Sequence, residues 1–98
     1  MLRENQVETF FSLLGDRCRS LRKQRNMTQE DMMSFGFSLR HYQQIEAGLA
    51  INVRTAIRLA EAFGIDVVDL FRGLLGRAAK GRAPRRAGRK PGRPRNTA

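Results

Sequence analysis

Apolar residues recur along the first 75 residues at the spacing of three and four that is typical of amphipathic helices, and no segment alternates as a strand does. A first helix is predicted over about residues 7–25. Its apolar face consists of Phe10, Phe11, Leu14, Cys18 and Leu21. Gly15 lies inside this helix and weakens it by about 1 kcal/mol relative to alanine.

Two later segments repeat the helical pattern. In the first of them, the predicted buried stripe is Val53, Ala56, Ile57, Ala60 and Phe63. In the second, the apolar residues fall at i, i+3, i+4, i+7 and i+8, namely Val67, Leu70, Phe71, Leu74 and Leu75. Both patterns predict a helix with one face turned to a core.

Polar residues that cap helix N-termini precede the later helices, and glycines follow them. Asp31 comes three residues after Thr28, which approximates a capping box at the start of a second helix that ends before Gly36. The other predicted caps are Ser38, Asn52 and Asp66, and the other predicted stops are Gly48 and Gly64. The chain is therefore predicted to form an all-α, compact bundle of five short helices.

Gly36 joins the second helix to a third helix that ends near Glu46. A connection this tight requires a residue that tolerates positive φ, and glycine does so at the least cost. Two short helices joined in this way predict a helix-turn-helix, in which the second helix enters the major groove of DNA.

The third helix is expected to have two different faces. Helical periodicity turns Phe37, Tyr42 and Ile45 inward. It turns outward a set of mostly polar residues: Leu39, Arg40, Gln43 and Gln44, with His41 and Ala47 at the margins. Arginine pairs with guanine, glutamine pairs with adenine, and leucine contacts a thymine methyl group, so the outer face suits base reading. Gln29 and Ser38 stand at helix starts, where phosphate contacts are favoured.

Charge separates the chain into two parts. The 98 residues carry a formal charge of +10. Residues 1–75 hold ten Lys/Arg against nine Asp/Glu, whereas residues 76–98 hold nine Lys/Arg and no acid. The basic tail contains Gly, Pro, Ala and Arg without large apolar residues, so we expect residues 76–98 to be disordered. The expected domain is residues 1–75, and the tail is expected to bind a polyanion.

The remaining composition restricts the function. One cysteine excludes an internal disulfide, and neither a signal peptide nor a membrane span is evident, which favours a cytoplasmic protein that is nucleoid-associated when bound to DNA. One histidine and the lack of a nucleophile–base pair or Gly-rich phosphate loop argue against an enzyme. We expect no cofactor, no metal and no small-molecule ligand.

Taken together, the motifs resemble the Cro/lambda-repressor-type helix-turn-helix proteins, the XRE family. "LGDRCRSLRKQRNMTQED" resembles helices 1 and 2, "GFSLRHYQQIEAG" the turn and recognition helix, and "AIRLAEAFGIDVVDLF" helices 4 and 5. The resemblance covers about residues 14–71. It implies a lambda-repressor-like fold and a sequence-specific, homodimeric transcriptional regulator of double-stranded DNA.

By position, the resemblance implies that the DNA-facing residues are Gln29, Ser38, Leu39, Arg40, Gln43 and Gln44. Arg22 and Glu46 match an ion pair that joins helix 1 to the end of helix 3 in relatives. Three departures stand out. The stretch from Thr28 to Gly36 is one residue shorter than the commonest pattern, Met32 and Met33 replace a Leu-Ala pair, and the shortened loop "GLAIN" lacks a basic residue.

The tail contains "RKPGRPR", which resembles an AT-hook, a minor-groove element with a Gly-Arg-Pro core. Arg93 is the central residue of this match, although Pro91 replaces the arginine expected before the glycine. The alternative is a tail that acts only through its charge.

Two questions stay open at this level. Leu70, Leu74 and Leu75 are either core residues or a homodimer contact along the fifth helix. The function is either that of a sequence-specific regulator, or of a non-specific architectural DNA-binding protein led by the tail, or of an antitoxin-like protein-binding regulator.

Overall fold

The computed structural model describes residues 3–80, and every element in this range is helical. In chain order they are α1 (Glu4–Gln24), a 3-10 helix (Glu30–Phe35), α2 (Leu39–Glu46), α3 (Val53–Phe63), α4 (Val67–Phe71) and α5 (Leu74–Ala79). The all-α prediction is confirmed. Helix α5 continues past residue 75, the predicted end of the domain. The rest of the tail, including Arg93 and the AT-hook match, lies outside the described residues.

The helix starts follow the cap residues that the sequence predicts. Ser38, Asn52 and Asp66 each accept a backbone N–H in the first turn of α2, α3 and α4, at 3.0, 2.9 and 2.8 Å. Thr28 and Asp31 bond each other reciprocally. The Thr28 N–H donates to Asp31 Oδ2 at 2.7 Å, and the Asp31 N–H donates to Thr28 Oγ1 at 3.1 Å. These bonds satisfy N–H groups that lack a partner within the helix.

The second predicted helix is a 3-10 helix and not an α-helix. Its bonds connect residues three apart, so it rises about 2.0 Å per residue and bridges a given distance with fewer residues than an α-helix. Such a helix suits the stretch from Thr28 to Gly36, which the family resemblance predicts to be one residue short. Gly36 then ends the helix with φ 93°, and its N–H donates to the Met33 carbonyl at 3.2 Å. The predicted tight turn is therefore present.

Helix α1 lies against α2, α3, α4 and α5, and α3 packs against the 3-10 helix and α4. The core between them contains Leu14, Cys18, Met32, Phe37, Tyr42, Ile45, Ala56, Leu59, Phe63, Leu70 and Leu74. Phe10 stacks on Phe71 with ring centroids 5.8 Å apart, which closes the core between α1 and α4.

The predicted stripe of α3 is partly wrong. Leu59 is completely buried, whereas Val53 and Ile57 are 72% and 48% exposed. The sequence places apolar residues on two adjacent faces of this helix, and periodicity alone cannot tell which face meets α1 and the 3-10 helix. The contacting face is the one formed by Ala56, Leu59, Ala60 and Phe63.

The predicted fifth helix is divided in two at Arg72 and Gly73. The side chain of Arg17 in α1 binds the carbonyl groups released at this break. It donates to the carbonyl oxygens of Asp69, Leu70 and Arg72 at 3.1, 3.3 and 3.0 Å. Because the chain turns here, Leu74 points into the core.

This break decides between the two interpretations of the fifth-helix leucines. Leu70 and Leu74 have no exposed surface, so both are core residues and neither is available for a partner. Leu75 is 56% exposed. A homodimer contact through Leu70 and Leu74 is therefore wrong, and only Leu75 of the three can take part in one.

Gly15 marks the closest approach of α1 to α2. A Cβ atom at this position would lie 2.5 Å from the carbonyl oxygen of Glu46 and 2.7 Å from that of Ile45. Real Cβ atoms do not approach backbone this closely. The glycine that weakens α1 locally therefore allows the end of α2 to rest directly on its backbone.

Cys18 lies in the core beside this contact and has no exposed surface. Burial raises the pKa of its thiol to about 12, with a smaller contribution from the nearby charge of Glu46. The thiol is therefore protonated at neutral pH.

Within residues 3–80, no helix combines the length and the apolar character needed to cross a bilayer.

Candidate nucleic-acid interface

Helix α2 has one buried and one exposed face, as its sequence pattern predicts. Phe37, Tyr42 and Ile45 are 3%, 0% and 1% exposed and hold the helix against the bundle. On the opposite face, Arg40, Gln43 and Gln44 are exposed, and Leu39 and His41 are partly exposed at its edge. Among residues 3–80, no hydrogen bond or ion pair engages the side chains of Arg40 and Gln44. These two side chains are available for an external partner.

A buried carboxylate holds the C-terminal end of α2. Glu46 is 2% exposed and receives the guanidinium of Arg22 in α1, with Nε at 2.7 Å from Oε2 and a second nitrogen at 3.3 Å from Oε1. The Tyr42 hydroxyl also donates to Oε2. Arg22 makes a third bond to the Met27 carbonyl at 2.9 Å, so one guanidinium joins α1, α2 and the segment before the 3-10 helix.

The surroundings of Glu46 favour its charged form. Burial by itself raises the pKa of Glu46, but hydrogen bonds from Arg22, Tyr42 and Gln29 outweigh burial and hold the pKa below its ordinary value of 4.5. The hydrogen bond that Arg22 donates to Glu46 also raises the pKa of Arg22. Both groups are therefore ionised at neutral pH, and the buried charges compensate each other.

Gln29 connects this cluster to the exposed face of α2. Its Nε2 donates to Glu46 Oε1 at 3.1 Å, and its Oε1 accepts a bond from Gln43 Nε2 at 3.2 Å. The sequence places Gln29 at a helix start, where a phosphate contact is favoured. In the structure, both ends of its amide contact the protein, and the side chain is only partly exposed.

Ser38 and His41 occupy the start of α2. Ser38 Oγ accepts the backbone N–H of His41 at 3.0 Å, and its hydroxyl hydrogen can still be donated to a phosphate. The His41 ring lies 5.9 Å from the Phe37 ring and inclined to it. His41 therefore covers the edge of the core beside the exposed face.

The arginines near this face differ in whether the fold already engages them. Arg25 is engaged within the fold, because its Nε donates to the Phe63 carbonyl at 2.6 Å. Arg17 is engaged in a similar way by the carbonyl groups at the end of α4. Arg40 is the one arginine on the exposed face of α2. Arg19, which the sequence interpretation missed, lies 3.5 Å from Glu46 Oε1 with a side chain that is 56% exposed. Its spacing of three from Arg22 places both on one side of α1.

The geometry is that of a helix-turn-helix: a short helix, a glycine turn with positive φ, and a second helix with a buried and an exposed face. Comparison with protein-family models matches residues 19–70, more than half of the chain, to a family described as helix-turn-helix. The chain belongs to the Cro/lambda-repressor-type helix-turn-helix (XRE) family. Neither the curated proteins nor the solved structures contain a match to it.

This family is one of DNA-binding regulatory domains and not of enzymes. The XRE match begins in the second half of α1, at Arg19, and ends at Leu70 in α4. It thus contains Arg22, Gln29, the glycine turn, all of α2 and Glu46. Double-stranded DNA is the partner of such a domain, and transcription regulation is its general role.

Proposed function

We propose that the chain is a sequence-specific transcription regulator that binds double-stranded DNA with α2 in the major groove. The observation that carries this proposal is the exposed face of α2, where the side chains of Arg40 and Gln44 make no hydrogen bond or ion pair within residues 3–80. In this orientation Arg40 pairs with a guanine and Gln44 with an adenine. Leu39 contacts a thymine methyl, and the Ser38 hydroxyl contacts a phosphate.

We further propose that two copies act together on a two-part operator. Two symmetric recognition helices reach the same side of a duplex when the half-sites lie about one helical turn, or ~34 Å, apart. Leu70 in α4 and Leu74 in α5 are in the core, so Leu75 is the large apolar side chain of α5 that is exposed to a partner.

Selection of bound duplexes from a random pool tests base reading. The unmodified chain is expected to enrich one operator, and Arg40→Ala and Gln44→Ala are each expected to relax the preference at particular base pairs. Each lost contact is expected to reduce discrimination there by about 1–3 kcal/mol. A uniform loss of affinity on every sequence would contradict the assignment.

The charge distribution favours a role for the tail, and it also keeps a second function under test. Residues 81–98 contain seven Lys/Arg and no acid, whereas the exposed face of α2 contains a single arginine. We propose that the tail, with Arg93, adds phosphate or minor-groove contacts to the specific complex. If the protein is instead a non-specific architectural one, the tail supplies nearly all of the binding.

A chain ending at residue 80 distinguishes the two functions. A regulator is expected to keep its operator preference without the tail while its affinity falls and its salt dependence becomes shallower, by up to about 0.9 per lost phosphate contact. An architectural protein is expected to lose binding to every sequence. Retained selection by the shortened chain excludes the architectural function.

A further inference from the structure

A continuous series of side-chain hydrogen bonds leads from the core to the exposed face of α2. It begins at Arg22 and Glu46, which are both buried. It passes through the amide of Gln29, at 3.1 Å from Glu46, and it ends at the amide of Gln43, at 3.2 Å from Gln29. Gln43 itself is exposed.

The carboxylate at the inner end determines the direction of every bond in the series. An ionised carboxylate accepts hydrogen bonds and donates none. Gln29 must therefore present its NH₂ group to Glu46, which leaves its carbonyl oxygen to face Gln43. That oxygen is also only an acceptor, so Gln43 must present its NH₂ group to Gln29.

Glu46 is fixed well enough to impose this direction. Its carboxylate also binds Arg22 and Tyr42, and its side chain is 2% exposed. The lowered pKa of Glu46 keeps it ionised at neutral pH. A rotation of the Gln29 amide by half a turn would place its oxygen against a carboxylate oxygen, which is repulsive.

The series reduces the donors that Gln43 can offer. A free glutamine amide has two N–H donors and one carbonyl acceptor. With one N–H held by Gln29, Gln43 presents a single N–H and a carbonyl oxygen. Adenine offers one acceptor and one donor in the major groove, at N7 and N6, whereas guanine offers two acceptors, at N7 and O6.

We propose that Gln29 is a positioning residue that makes Gln43 selective for adenine over guanine. This rests on the proposed function, because Gln43 must first reach a base. Gln29 then acts without touching DNA: by occupying one donor of Gln43, it leaves an amide that complements adenine and cannot donate twice to guanine.

The test compares base preferences of Gln29→Met, Gln43→Ala and the pair combined, all in the full chain. Methionine has nearly the length of glutamine but no hydrogen-bonding amide. Gln43→Ala is expected to abolish the preference at one base pair, which identifies the position. Gln29→Met is expected to lower the adenine-to-guanine affinity ratio at that same position, from about tenfold towards twofold, because both donors of Gln43 become free.

Gln44→Ala is the matched control on the neighbouring exposed residue. It is expected to change a different base pair, and its effect is expected to be the same in the presence and absence of Gln29→Met. In the double variant of Gln29 and Gln43, the Gln29 substitution is expected to have no further effect on base preference. Circular dichroism of each variant establishes that it is folded.

The outcomes separate the inference from the function on which it rests. A wild-type chain that selects no sequence overturns both. If the wild type selects a sequence, two results overturn the inference alone. The first is a Gln43→Ala protein that keeps its base preference at every position. The second is a Gln29→Met protein that loses affinity equally for all sequences. In the latter case Gln29 contacts the phosphate backbone.

Side-chain amide NMR of the free full chain is an independent measurement. The Gln29 NH₂ signals are expected to differ from those of the exposed Gln44 and to shift when Gln43 becomes alanine. Gln29 signals that coincide with those of Gln44 and do not respond to Gln43→Ala would overturn the inference.

Discussion

At the scale of single residues, Arg22 and Glu46 join α1 to the end of α2 by a buried ion pair. Family resemblance suggests the two partners, but the sequence leaves open whether they are an ordinary surface pair. Burial answers this question, because a carboxylate that is 2% exposed depends on its partners for the solvation that it has lost.

Removing one partner is expected to be costly. Arg22→Met leaves Glu46 buried without its main counter-charge and is expected to lower the free energy of unfolding by about 3 kcal/mol. Urea denaturation measures the change. Arg72→Met is the matched control, since Arg72 pairs with Asp69 at 2.8 Å on the surface and its loss is expected to cost less than about 1 kcal/mol. Equal effects of the two substitutions would contradict a structural role for the buried pair.

The lowered pKa of Glu46 predicts a pH dependence of stability. A group whose pKa is lower in the folded state contributes stability above its unfolded pKa, here about 4.5, and loses it as the pH falls through the folded value. The free energy of unfolding is therefore expected to fall on acidification below about pH 4.5. Glu46→Gln is expected to flatten this part of the profile. A profile with the same acid slope in both proteins would contradict the prediction.

At the scale of elements, local signals in the sequence predicted where helices begin, because a cap and its target lie three residues apart or less. Ser38, Asn52 and Asp66 are confirmed as caps for this reason. The type of the second helix, the break at Gly73 and the buried face of α3 depend on contacts between distant segments. A helical pattern that continues from Leu70 to Leu74 and Leu75 contains no information about the turn at Arg72 and Gly73.

The contact of α1 with α2 is likewise invisible in the sequence, where Gly15 is merely an unfavourable residue within a helix. Gly15→Ala is expected to destabilise the fold by about 1–3 kcal/mol, because the added methyl group collides with the carbonyls of Ile45 and Glu46. Thermal unfolding measures this loss.

Gly76→Ala is the matched control for helix propensity. Gly76 lies in α5, and a Cβ atom there would meet no atom within 4 Å. Alanine at this position is expected to stabilise the protein by up to about 1 kcal/mol. If Gly15→Ala also stabilised the protein, the backbone contact between α1 and α2 would not exist as described.

At the scale of the whole molecule, the two halves of the charge distribution correspond to two proposed tasks. The internal arginines of α1 bind carbonyl groups and Glu46, and α2 itself contributes a single arginine, Arg40, to its exposed face. Binding strength is then expected from the tail and base preference from the domain.

The candidate site could be predicted as a set of outward residues, but the link from Gln29 to Glu46 required the folded arrangement of α1, the 3-10 helix and α2.

Adjacent leucines in α5 test the proposed dimer. Leu75→Lys is expected to shift the protein towards the monomer in sedimentation experiments while leaving the stability of the folded monomer nearly unchanged, because Leu75 is 56% exposed in the single chain. Leu74→Ala is expected to lower stability by about 2–5 kcal/mol, since it removes a fully buried side chain. An unchanged dimer in the Leu75→Lys protein would move the interface to another surface.

The reactivity of the buried Cys18 thiol can be used to measure unfolding of this protein. As the only cysteine, completely enclosed and protonated at neutral pH, it can react with a thiol reagent only when the core opens. The rate at which the reagent modifies Cys18 in the wild-type protein therefore reports how often the core opens. A duplex that binds the folded state alone is expected to slow labelling by the factor 1 + [L]/Kd, where [L] is the free duplex concentration. Comparing operator with unrelated DNA in this way measures specificity without any dye or mutation.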